Sequence, residues 1–123
     1  MYSLAWLDLS AGPVTLAVPE TRGRYYPLPL YDAWTNVFAV PGTRTTGSGA
    51  GEFVIVGPGA HGEVADGVER IDAPTNLVAL MGRTQVNGRD DYPAVHAVQA
   101  GSVSGGYSSM VTTVSRPACR RVR

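Results

Sequence analysis

A chain of 123 residues with 44% apolar residues is long enough for one domain with a real core. Its ten basic residues, all arginine, balance ten acids, which gives no argument for a nucleic-acid or anionic-membrane partner. A single cysteine, Cys119, excludes an intrachain disulfide and a Cys-rich zinc site. No apolar stretch approaches the roughly 20 residues of a membrane helix, and the N-terminus lacks the basic and apolar regions of a signal peptide. The charge is uneven: residues 1–99 hold six Arg and ten acids, a net of −4, while residues 100–123 hold four Arg and no acid, a net of +4.

Residues 2–9 alternate as a strand does, with Leu4, Trp6 and Asp8 on one face. Ser10, Ala11, Gly12 and Pro13 supply turn chemistry, and residues 14–18 return as a β-branched strand, which predicts a hairpin. After a turn at 19–23, residues 24–30 read as a third strand. Pro27 and Pro29 lack N–H groups on the same side of it, which predicts an edge or a bulge. Residues 31–40 carry large apolar groups in both alternating sets and read as a central strand covered on both faces. A polar Gly/Thr loop at 43–51 leads into the apolar strand Phe53, Val54, Ile55, Val56.

A loop at 61–67 precedes a weak strand at 68–71, a turn at 72–76 and an apolar strand beginning at Leu77 that continues toward Val86. Residues 89–99 predict a short helix, with Asp90 or Asp91 as its cap, Pro93 in its first turn, and Val95 and Val98 on one face. Residues 101–123 show no periodicity and read as disordered or poorly packed. Short strands between Gly/Pro turns make the fold mainly all-β, a β-sandwich or a partly open barrel, with one short helix near the C-terminal end.

The segment Gly47, Ser48, Gly49, Ala50, Gly51 resembles a phosphate loop in composition only. It leads into a strand rather than a helix and has no lysine, so nucleotide binding is rejected. His61 and His96 have no second metal ligand at metal-site spacing, and neither a Gly-x-Ser-x-Gly elbow nor a His-Glu-x-x-His motif occurs. No cofactor, metal site or catalytic residue is therefore assigned. The candidate site residues are the polar groups on apolar segments: Asp32, Asn36, Arg44, Asn76 and Arg83. Buried, they need partners, and a network joining Asp32 to Arg44 or Arg83 would fix strand register. The functional alternative is a small polar pocket in which Arg44 and Arg83 hold a carboxylate or sugar. The aromatic group Trp6, Tyr25, Tyr26, Tyr31 and Trp34 reads as core, since a carbohydrate platform would need these rings exposed and coplanar.

The segments YSLAWLDLS, RYYPLPLYDAWTNVFAVPGTRTTGSGAGEFVIVGPG, PTNLVALMGRTQVNG and DDYPAVHAVQ resemble the bacterial family called domain of unknown function 1254, from Tyr2 to about Gln99. The resemblance implies a jelly-roll-like β-sandwich. It also implies a longer polypeptide that is often exported to the periplasm or secreted, and that usually continues into a second domain of unknown function, number 1214. It implies no activity or cofactor. Family members have a further segment before the first strand, and here the pattern stops after Gln99. Residues 1–99 are therefore expected to be an N-terminally truncated β-sandwich domain, and residues 100–123 a basic tail that is disordered or out of frame. The expected role is a binding or structural module of a larger envelope or secreted protein, with a second β domain or further copies of itself as partners and no membrane span. The alternatives are a fragment of an enzyme whose site is shared with a missing domain, and a non-functional remnant.

Overall fold

The computed structural model describes residues 1–60, 64, 66–101, 104–105 and 110–112. The strands are β1 (Tyr2–Asp8), β2 (Val14–Val18), β3 (Leu30–Tyr31), β4 (Val37–Ala39), β5 (Gly51–Val56), β6 (Glu69–Asp72), β7 (Leu77–Arg83), β8 (Ser104–Gly105) and β9 (Met110–Thr112). A 3-10 turn (Arg89–Asp91) runs into the helix α1 (Tyr92–Gly101). One sheet has the order β4-β3-β7-β1-β9 and the other β6-β5-β2-β8. The fold is mainly β and sandwich-like, not a closed barrel, as the alternating pattern and turn spacing predict.

The two sheets meet through alternate residues of β1, β2, β5 and β7 and through Leu30 of β3. Ala5, Leu7 and Leu9 from the β1 segment, Val78 and Leu80 from β7, and Leu30 from β3 face Val14, Leu16 and Val18 of β2 and Phe53 and Ile55 of β5. Leu7, Leu30, Ile55 and Val78 are fully enclosed. Leu4, Trp6 and Asp8 do share a face, and it is the outer one.

The predicted β1–β2 hairpin is corrected: these strands belong to different sheets. β1 pairs antiparallel with β7 and β9, and β2 with β5 and β8. Both strands are amphipathic, so the chain buries more apolar surface by arching over the sheet end and facing β1 with β2 than by pairing them side by side. The corner is fixed locally. Asp8 Oδ1 accepts hydrogen bonds from the Ser10 N–H (3.0 Å) and hydroxyl (2.5 Å), and Leu9 N–H donates to the Asn76 carbonyl (2.8 Å).

The central strand predicted over 31–40 is instead a hairpin, β3–β4, turning at residues 32–36. Its apolar content on both parities comes from two short strands and an exposed turn, not from one strand covered twice. β3 is also not an edge, because it lies between β4 and β7. The prolines fit there since only their carbonyls are used on the β7 side: Pro27 accepts from Arg83 N–H (2.9 Å) and Pro29 from Met81 N–H (3.1 Å). Both missing N–H groups thus lie on one side, as their spacing predicts, and a register shift between Leu30 and Tyr31 marks the irregularity.

The helix begins without a carboxylate cap. Gly88 precedes the 3-10 turn and contributes no side-chain bond, while Asp91 is engaged by Arg24. Val95 anchors α1 with no exposed surface, and Gln99 Nε2 donates to the Ser3 hydroxyl (3.0 Å) and the Tyr2 carbonyl (3.3 Å), tying α1 to the start of β1. Past α1, β8 extends the sheet beside β2 and β9 the sheet beside β1. Cys119 and the remainder of the basic tail lie outside the described residues, as does His61.

Candidate functional site: the outer face of the five-stranded sheet

The sequence places Asp32 and Asn36 four residues apart, and the hairpin brings them together. Asp32 Oδ1 accepts from the N–H groups of Trp34 (2.9 Å) and Asn36 (2.9 Å), and Oδ2 from Asn36 Nδ2 (3.2 Å). Its own N–H donates to the Asn36 carbonyl at 2.9 Å, closing the turn, and Thr35 completes it with φ 67°. Burial pushes the Asp32 carboxyl up, but the bonds from Asn36 and Trp34 together hold it below the ordinary carboxylate range. Ala33 N–H donates to Thr75 Oγ1 (3.0 Å), which pins the turn to the segment before β7.

The other sequence-selected residues stand apart from that turn. Arg44 lies over the Tyr25 ring at 5.6 Å and Arg83 over the Tyr2 ring at 5.5 Å. The Asn76 carbonyl holds Leu9, and its Oδ1 packs against Gly57 so closely that a Cβ there would sit 2.7 Å from it. Among the described residues, Asp32 has no arginine partner. The geometry gives a turn network and two separate cation–π pairs.

A stronger ion pair escapes sequence inspection. Arg24 forks onto Asp91, with Nη1–Oδ2 at 2.5 Å and Nη2–Oδ1 at 2.7 Å, and Nη1 also donates to the Gln85 carbonyl (2.8 Å). Asp91 Oδ2 accepts from Asn87 N–H at 2.8 Å as well. The Arg24 bonds, then the Asn87 bond, lower the Asp91 carboxyl from 3.8 to about 2. Its folded pKa lies below its unfolded one, so its stabilisation is present above about pH 4 and is lost as pH falls toward 2. The melting temperature should therefore fall over that window in the wild type and fall less in Asp91→Asn. Parallel acid profiles for the two proteins would show that the pair contributes nothing.

The aromatic residues depart from the expected core placement. Tyr26 is buried at 3% exposure and Tyr31 is half-buried, but Trp6 is 56% and Trp34 77% exposed, and Tyr25 is exposed too. The register explains where Trp6 goes. Outward positions of β1 and β7 pair as Tyr2 with Arg83, Leu4 with Met81, Trp6 with Ala79 and Asp8 with Leu77. Tyr31 continues the third row beside Ala79, and Val37 lies beyond Tyr31. The result is a contiguous apolar face with Arg83 at one end and Asp8 at the other. The second sheet shows the opposite character, with Thr15, Glu52, Val54 and Arg70 among its outward positions. One sheet thus presents a mixed polar surface to solvent, while the other exposes an apolar one where antiparallel sheets ordinarily place polar residues.

An open groove of about 640 Å³ runs between the loop at 19–24 and α1, lined by Pro19, Arg22, Arg24, Ala94 and Ala97 among others. Of its two lining arginines, Arg24 is already committed to Asp91. Among the described residues, no three His, Cys, Asp or Glu side chains group as a metal site would require. His96 sits exposed on α1 with its ring edge-on to Tyr92 at 6.4 Å. No helix of the described residues is long and apolar enough to cross a membrane.

The crystal structure of the VPA0106 protein from Vibrio parahaemolyticus is similar in fold, with a TM-score of 0.76 and 31% identity, over 81% of this chain and 26% of that one. This chain therefore corresponds to about a quarter of that protein. The comparison with curated proteins returns no match. Residues 1–104 match the family described as "Protein of unknown function (DUF1254)", and the chain belongs to that family.

Proposed function

We propose that this domain is a non-enzymatic binding or structural module of a larger bacterial envelope or secreted protein, and that it docks another protein surface through the outer face of its five-stranded sheet. The observation that carries this reading is the group of exposed Tyr2, Trp6, Leu77 and Met81 on a face that has Arg83 at one end and Asp8 at the other among the described residues. Aromatic residues and methionine are what the buried centre of an interface is enriched in. The much longer solved relative supports a modular setting, and the family resemblance supports an exported one. Asp32 and Asn36 serve this module by holding the hairpin that presents Trp34 and Val37.

The test is the paired substitution Trp6→Ser with Met81→Ser. Both side chains are exposed, so the melting temperature should stay within a few degrees while binding of an apolar dye to the folded protein drops. A cooperative fold lost on this substitution would mean the face belongs to the domain's own core, and the docking reading would fall.

A further inference from the structure

The outer face has a polarity that selects one arrangement of a partner. Along β1 and β7 the first row ends in Arg83 and the fourth in Asp8, six residues or about 20 Å apart along the strands. Between those two rows lie Leu4, Met81, Trp6 and Ala79, none of them charged. Arg83 is exposed and rests on the Tyr2 ring, with no ion-pair partner among the described residues. Asp8 uses only Oδ1 for the Ser10 corner, which leaves Oδ2 available, and the Ser10 bonds keep the carboxyl ionised by lowering its pKa.

We propose that the occupant of this face is a second copy of the same chain, packed sheet to sheet about a two-fold axis that lies between the sheets and across the strands. This rests on the docking reading above and names its partner. The alternative two-fold, along the strands, sets Arg83 against Arg83 and Asp8 against Asp8. The axis across the strands instead brings each Arg83 to the partner copy's Asp8 and lays Trp6 and Met81 of the two copies in one apolar centre. An isologous contact of this kind closes as a dimer and leaves no apolar face for further growth. β1 and β7, at about 4.8 Å spacing and 20 Å of length, with the much shorter β3 and β4 beside them, give a footprint of roughly 200–300 Å² per copy. That is less than a stable specific interface buries, so the dimer is a weak, transient one that forms only with rising concentration.

Sedimentation equilibrium of the whole chain from low micromolar to near-millimolar concentration reads this directly. The expected result is a monomer–dimer equilibrium. Arg83→Asp alone and Asp8→Arg alone should each weaken it at least about tenfold, and the double exchange should restore it to near wild type, because it reverses both ends of the face together. Restoration also separates the contact from any effect of Asp8→Arg on the Ser10 corner, which the double variant shares. A strictly monomeric chain that still binds apolar dye at Trp6 and Met81 would overturn the dimer and leave the docking reading standing. A dimer that survives Trp6→Ser with Met81→Ser, or a double exchange that fails to restore, would overturn it as well.

Discussion

Leu30→Ala is expected to destabilise the domain by about 2–5 kcal/mol and to lower its melting temperature by roughly 10–20 °C. Leu30 is the point where the irregular third strand meets the core. It has no exposed surface, pairs with Ala39 on one side and Leu80 on the other, and belongs to the single cluster that both sheets share. The surrounding ladder is weakened on the β7 side by the missing N–H groups of Pro27 and Pro29, so burial must hold the strand in place. A domain of this size has a total stability of only about 5–15 kcal/mol, and the variant should unfold at markedly lower denaturant. Denaturant melts of wild type and variant check this. A change under about 1 kcal/mol would mean that the strand is held by its hydrogen bonds rather than by its side chain.

Gly42→Ala should be nearly as damaging, for a different reason. A Cβ there would collide with the Tyr26 carbonyl oxygen and stand 2.9 Å from Pro27 Cα, both backbone atoms across the Pro27–Gly42 bridge. Neither can rotate away. Thr43 N–H donates to the same Tyr26 oxygen (3.0 Å) and Leu28 N–H to the Pro41 carbonyl (2.8 Å), so separating the segments would stretch both bonds. A loss of about 1–3 kcal/mol or more is expected. Gly82→Ala provides the internal comparison: its new methyl would meet Leu28 Cδ2 at 2.7 Å, the end of a side chain that can change rotamer, and the cost should be smaller. Equal losses at both positions would show that the core around Leu28 is as unyielding as the bridge.

The sequence made the strand content, the sandwich and the helix near the C-terminal end legible, because period-2 alternation and Gly/Pro turns are local signals. It misled where pairing is decided at a distance. Residues 14–18 looked like the return arm of a hairpin with β1, yet strands that share a core from opposite sheets carry the same alternation as strands that pair. The run from Tyr31 to Val40 looked like one buried strand because its apolar residues fill both parities, and only the bonds from Trp34 and Asn36 to Asp32 reveal a turn in its middle. An Asp whose side chain can take the N–H two residues on is a turn signal that the sequence does carry, at Asp32.

The site shows the same limit. Asp32 and Asn36 stood out as polar residues on an apolar segment and do bond each other, whereas Arg44 and Arg83 found aromatic rings instead of a carboxylate. The Arg24–Asp91 fork spans 67 residues and leaves no local trace. The outer face was half visible: Leu4, Trp6 and Asp8 share a parity in the sequence. Aromatic residues in strands are more often inside, however, and only the register with Leu77, Ala79, Met81 and Arg83 shows that they line the outside.

The measurement that bears most directly on a covered outer face is oxidative footprinting of Met81 and Trp6 in cells of the organism that makes the protein, set against the purified chain at low concentration. A docking face predicts strong protection of both residues in the cell and ready oxidation in the dilute purified chain, with Trp34 as a second reporter on the adjoining turn. Equal oxidation of Met81 and Trp6 in both settings would contradict it, because the face would then stand open to solvent where the protein works.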